Sequence, residues 1–171
     1  MVLVSSTSSV ASRGAGGRRH FCVLVDADAN GAFDDALEDF PVAQINAVFP
    51  NSTYSFWGAM DHIRRTQFDI LDFVRNPDYQ ERDWPRDYWP ERGQLATEAD
   101  WKKTIAGYRK NLDELRRIVK DPKTNLYAKI PHGTGQTILR EILLVADHTA
   151  YEIGELATMR RVYGHWDINH P

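Results

Sequence analysis

Residues 147–156 read DHTAYEIGEL, with His148 and Glu152 four residues apart. On a helix that spacing sets an imidazole and a carboxylate side by side on one face. Two such groups can supply two of the three protein ligands that a hydrolytic zinc site takes, leaving a fourth position for water or substrate. The third ligand must come from another helix, and His62 is the one mid-helix candidate. Two imidazoles and a carboxylate suit Zn²⁺, Ni²⁺ or Fe²⁺ better than Mg²⁺ or Ca²⁺, which prefer all-oxygen shells. Water bound there would be acidified toward neutral pH, and the same position could take a substrate thiolate. Spacing alone equally fits two partly buried histidines with backbone or carboxylate partners, because His and Glu at i and i+4 are common on helices.

The surrounding pattern supplies helices to hold these groups. Over 52–76, Phe56, Met60, Ile63, Gln67, Leu71 and Val74 recur at three- and four-residue steps, with Pro77 just beyond. His62 falls off that stripe, on the side of Ser55, Ala59 and Thr66. Over 98–120, Trp101, Ile105, Tyr108, Leu112, Leu115 and Val119 form one narrow face. Thr97 reads as the N-cap, with Asp100 in the position a capping box gives to Glu or Gln, and Pro122 follows the end. Over 135–163, Ile138, Ile142, Val145, Ile153 and Leu156 make a stripe that Leu139, Leu143 and Ala146 widen, which predicts a central bundle helix closed by Gly164. The segment 20–49 is less regular. FCVLV fits strand or buried helix, and FDDALEDF reads as a short helix halted by Pro41.

Between 77 and 96 three prolines and no sustained period predict a loop. Its Trp84, Tyr88 and Trp89 are too apolar to stay in water, so they are expected to pack on the bundle, to roof a pocket or to seal a dimer. A loop of this length in a compact domain is often functional. The pattern as a whole predicts an all-α four-helix bundle, with 1–19 as a Ser- and Gly-rich flexible tail and 20–171 as a single domain.

The segments FDDALEDFP, MDHIRRTQFDILDFVRNPDY, DWPRDYWP, IPHGTGQTILREILLVADHTAYEIGEL and MRRVYGHW, in that order from Phe33 to Trp166, resemble the DinB superfamily of helical bundles. That group includes metal-dependent hydrolase-like and thiol-transferase-like proteins. The resemblance implies a divalent metal held by a histidine on the second helix and a His-x3-His pair on the last. Those positions are His62, His148 and Glu152 here, so this sequence has Glu where the family motif has His. A carboxylate there either replaces the imidazole as a ligand or marks a site that has lost its metal. The corresponding expectations are a metal-dependent enzyme or a non-catalytic bundle serving as a stress-related dimer or interaction module. The resemblance stops before Phe33, where the leucine-rich first helix of the family has no counterpart.

Other features carry weaker chemistry. Asp26, Asp28, Asn30 and Gly31 imitate the start of an EF-hand loop, but Leu37 occupies the twelfth position, where a bidentate Glu belongs, so a turn into the short helix is expected. Lys102, Lys103, Arg109, Lys110, Arg116, Arg117 and Lys120 on the third helix could form a phosphate-binding stripe, yet read better as a solvated face relieved by Asp113 and Glu114. His132, in the IPHGTG turn, fits a turn-stabilising role, or a place at the mouth of the bundle. Cys22 has no indicated His or Asp partner and is a weak nucleophile candidate.

The chain has 171 residues, 42% of them hydrophobic and 26% charged, which suits one ordinary globular domain. A net charge of −3 gives no electrostatic argument for nucleic acid or an anionic membrane. The single cysteine rules out an internal disulfide and a thiolate cluster and fits a reducing compartment. No apolar run approaches the ~20 residues that span a bilayer, and the start lacks the charge and apolar length of a signal peptide. A cytoplasmic protein with a small-molecule substrate if an enzyme, and an optional homodimer, is the expectation.

Overall fold

A computed structural model describes residues 29–165, and the chain there is built from four α-helices without a β-strand. We label them α1 (Ala29–Leu37), α2 (Phe56–Arg75), α3 (Glu98–Lys120) and α4 (Ile138–Val162), with one 3₁₀ turn at Val42–Gln44. The expected tail, Cys22, and Asp26 and Asp28 of the calcium-like loop lie outside the described residues. No helix there is long and apolar enough to cross a membrane.

Each long helix begins where its sequence offers a side-chain acceptor. Ser55 caps α2 by accepting from the Gly58 amide, and Thr137 caps α4 by accepting from that of Arg140. Thr97 and Asp100 exchange both bonds of a capping box at α3, so the shorter Asp does the work of Glu there. Such caps contribute about 1 kcal/mol each. Helices α2 and α4 start at Phe56 and Ile138, the first residue of each apolar stripe and a few residues inside the expected bounds, because the caps at Ser55 and Thr137 set the first turn. At the far end of α4, Gly164 takes the left-handed conformation at φ 68°. Helix α1 ends at Leu37, before Pro41 can halt it, because Asp39 turns the chain at φ 50°. Leu37, the would-be calcium ligand position, packs against the core.

Helix α2 is central. It packs on α3 and on α4, while α1 lies against α4. The predicted stripes meet in one core, where Phe56, Met60, Ile63, Leu71, Tyr108, Leu115, Val119 and Met159 are essentially fully buried. Phe33 of α1 stacks on Tyr108 of α3 with ring centres 4.0 Å apart. The buried Arg160 of α4 fixes α1 from the other side. It donates to the carbonyls of Asp35 and Ala36 at 3.0 Å and of Glu38 at 2.5 Å, which are the orphan acceptors of a helix end. Two expectations do not hold: Trp84, read as too apolar to stay in water, is 65% exposed, and Leu143, read as widening the buried arc of α4, is 41% exposed. No described element packs over that side of the helix.

The basic residues of α3 are partly neutralised by neighbours. Lys102 pairs with Glu98, Arg109 with Asp34 of α1, Arg116 with Asp113 and Arg117 with Glu114.

Candidate metal centre

The fold brings His62 of α2 to the pair on α4. His62 Nε2 lies 3.7 Å, and His148 Nε2 3.6 Å, from the same Glu152 oxygen. The three can each offer one ligand atom, all within 4.8 Å of one another. The second oxygen of Glu152 is buried and accepts no hydrogen bond. Both contacts are too long for hydrogen bonds.

Protonation makes the arrangement more telling. The Nδ1 of His62 is 3.0 Å from the Tyr88 carbonyl, which can only accept, so Nδ1 carries the proton. Burial pulls the His62 pKa down, against the opposing effects of that bond and of Asp61, and the neutral ring turns a bare Nε2 toward Glu152. Burial, with His62 nearby, lowers His148 to about 4. Burial, with Glu155 one turn further on, raises Glu152 to about 7. His62 thus turns an acceptor toward Glu152, and the three side chains stand too far apart to hydrogen-bond one another.

A divalent cation fits that donor set. Two ligands about 2.0–2.1 Å from a tetrahedral zinc stand roughly 3.4 Å apart, and the observed 3.6 and 3.7 Å are within a few tenths of this. The hydrogen bond from His62 Nδ1 to a backbone carbonyl is also the support that orients a ligating imidazole.

The connection between α2 and α3 makes that support. Trp89 stacks flat on His62, centroids 3.9 Å apart at 6°, and Trp84 meets the His62 ring edge-on at 6.1 Å. Tyr88 contributes its backbone to His62 while its hydroxyl donates to Asp69 at 2.6 Å. Asp69, on α2, also accepts from Tyr79 at 3.1 Å and from Arg82 at 2.9 Å, so one buried carboxylate ties the connection along the helix. Burial and the bond to Asp69 both raise the Tyr88 pKa, keeping the hydroxyl a donor. Asp61, next to His62, is engaged by Arg64 and Arg65 and is not a member of the cluster.

His132 lies apart from these groups. Its Nε2 donates to the Phe73 carbonyl at 2.7 Å, tying its turn to the end of α2 as a turn-stabilising role requires. His148 is the most accessible of the three cluster side chains, 24% exposed against 4% for His62 and 8% for Glu152, so the opening is on its side.

Sequence reasoning missed Asp69, Tyr54 and Glu155. Tyr54 donates to Glu155 and tilts against Trp89, with ring centres 4.8 Å apart. A cavity of about 580 Å³ is lined by Tyr54, Ser55, Gly58, Trp89, Pro90 and Leu95, among others, and shares Tyr54 and Trp89 with the surroundings of the cluster. A signal was present: Asp69 is seven residues from His62, and Glu155 seven from His148, two turns along the same face in each case. No family model, curated protein or solved structure matches the chain.

Proposed function

We propose that this chain is a divalent-metal-dependent enzyme of DinB-like type, hydrolase-like or thiol-transferase-like, with His62, His148 and Glu152 as the metal ligands. The observation that carries the reading is the convergence of two neutral imidazoles, from two helices, on one oxygen of the buried Glu152 carboxyl at 3.7 and 3.6 Å. Zn²⁺, Ni²⁺ and Fe²⁺ suit those donors. Once bound, such a metal supplies Lewis acidity and brings a coordinated water or thiol toward deprotonation near neutral pH.

The chain's own residues prepare the site. Tyr88 holds His62 in the tautomer that leaves Nε2 free. Trp89 prevents the ring from rotating and dries one side of it. Glu152 gives the shell a negative charge that a third imidazole would not. That favours retention of a dication and moderates its acidity. The cavity behind Tyr54 and Trp89 offers a largely apolar place for the body of a small substrate.

The test is metal analysis of protein purified without added metal, aerobically and anaerobically. We expect about one equivalent of a transition metal, lost on His148→Ala and greatly weakened by Glu152→Ala. Absence of metal under both conditions, with no thermal stabilisation by added Zn²⁺, would overturn the enzyme reading and leave a non-catalytic bundle.

A further inference from the structure

Trp84 is tied in place and yet left in water. Asp83 donates its amide to the Asp87 carboxylate at 2.8 Å, and the Asp87 amide returns a bond to the Asp83 carbonyl at 2.9 Å. The Tyr88 ring lies 5.2 Å from the indole and is itself fixed by its hydroxyl bond to Asp69. Despite this framework the indole is mostly exposed, so its large apolar area adds little to the stability of the fold. Exposed apolar surface beside a candidate metal centre is the mark of a ligand-binding surface.

The position of Trp84 relates it to the accessible side of the cluster. Its ring centre is 6.1 Å from that of His62, which is 5.2 Å from that of His148, the most accessible of the three. On α4, Leu144 and Tyr151 lie four residues before His148 and three after it, the positions that adjoin it on a helix surface. Both are exposed, Tyr151 at 70%. An aromatic side chain therefore adjoins the cluster from each of two separate elements. The charges nearby do not invite an anionic body. Arg86 is paired with Asp83 and Asp87, and Arg65 with Asp61 and the Asp87 carbonyl. Asp147, just before His148, adds an exposed negative charge.

We propose that Trp84 and Tyr151 set the specificity of this centre, for small ligands that carry their metal-binding group on an uncharged aromatic ring. The proposal rests on the metal centre argued above and adds the class of molecule it accepts. The ring of such a ligand lies against the Trp84 indole, with Tyr151 on its other flank. An indole already held in place loses little freedom on binding, and its π face attracts a second ring beyond what burial of area alone supplies. A saturated ring of the same bulk gains the burial without the stacking.

Three hydroxamates share one metal-binding group and differ in what it carries: methyl, cyclohexyl or phenyl. Calorimetric titration of the Zn²⁺-loaded full chain with each tests the proposal, with zinc content measured separately. We expect the phenyl compound to bind at least about tenfold tighter than the methyl and at least about threefold tighter than the cyclohexyl. Trp84→Leu should abolish the preference for phenyl over cyclohexyl, and Tyr151→Ala should lower it about twofold. Each variant is referred to its own affinity for the methyl compound, so a change at the metal itself cancels. Zinc bound with no preference for phenyl, with a preference that survives Trp84→Leu, or with no hydroxamate bound would overturn this proposal and leave the metal centre standing. A chain that binds no zinc would overturn both.

Discussion

Arg160 and the His62–His148–Glu152 cluster are both ionisable groups buried around α4, and the protein treats them in opposite ways. Every side of Arg160 is answered: it donates to the carbonyls of Asp35, Ala36, Glu38 and His165, and its charge neutralises the negative end of α1. The cluster is left open, with imidazole nitrogens and a carboxylate turned toward each other at distances too long for hydrogen bonds. Burying a polar group without a partner costs free energy, and on the proposed reading a bound cation supplies the partner that the chain does not. The one is architecture and the other, on that reading, a socket.

Four measurements would break or sharpen this contrast. The largest effect belongs to Arg160→Met, which keeps the stem but removes all its donors. Urea unfolding should show a loss of about 3–5 kcal/mol, and a loss under about 1 kcal/mol would erase the distinction. Second, His148→Ala should weaken Zn²⁺ binding by at least about a hundredfold, roughly 3 kcal/mol by competition with a chelating dye, while leaving the metal-free fold nearly as stable.

Third, Glu152→Gln should stabilise the chelator-treated protein, and increasingly so as pH rises. The folded pKa of Glu152 is raised, from 4.5 to about 7, so between those values the native state binds more protons than the unfolded one. Stability from this group is therefore lost as pH climbs through that window, and glutamine has nothing to lose. The advantage should approach about 3 kcal/mol above pH 7 and vanish below pH 4. His148, lowered to about 4, acts oppositely by costing stability as pH falls below 6.5, but it does so in both proteins. With saturating Zn²⁺ the order of the two variants should reverse. The smallest effect is that of Trp89→Leu, which removes the ring stacked on His62 without touching a ligand. About tenfold weaker Zn²⁺ binding is expected from loss of orientation alone, and an unchanged affinity would mean that His62 needs no such support.

Much of this was legible in the chain. The period of α3 gave both its bounds and its buried face, and the candidate metal-binding trio follows from one i, i+4 pair plus the histidine off the α2 stripe. The partners of those residues were harder to read. Arg160 resembles its surface neighbour Arg161 until one knows that α1 ends beneath it, because capping a distant helix leaves no periodic trace. Tyr88 acts through its backbone carbonyl, to which side-chain identity is almost irrelevant. Leu143 shows the limit of hydrophobic pattern, which says that a face is apolar but not what covers it.

The cluster draws one member from α2 and two from α4, with 85 residues between His62 and His148. Any ion held by both would close that stretch into a ring containing the whole of α3 and the aromatic connection. While the ring is shut, α4 cannot peel away from α2 without first surrendering the ion. Hydrogen exchange at the middle of α4 would then report metal release as much as helix opening.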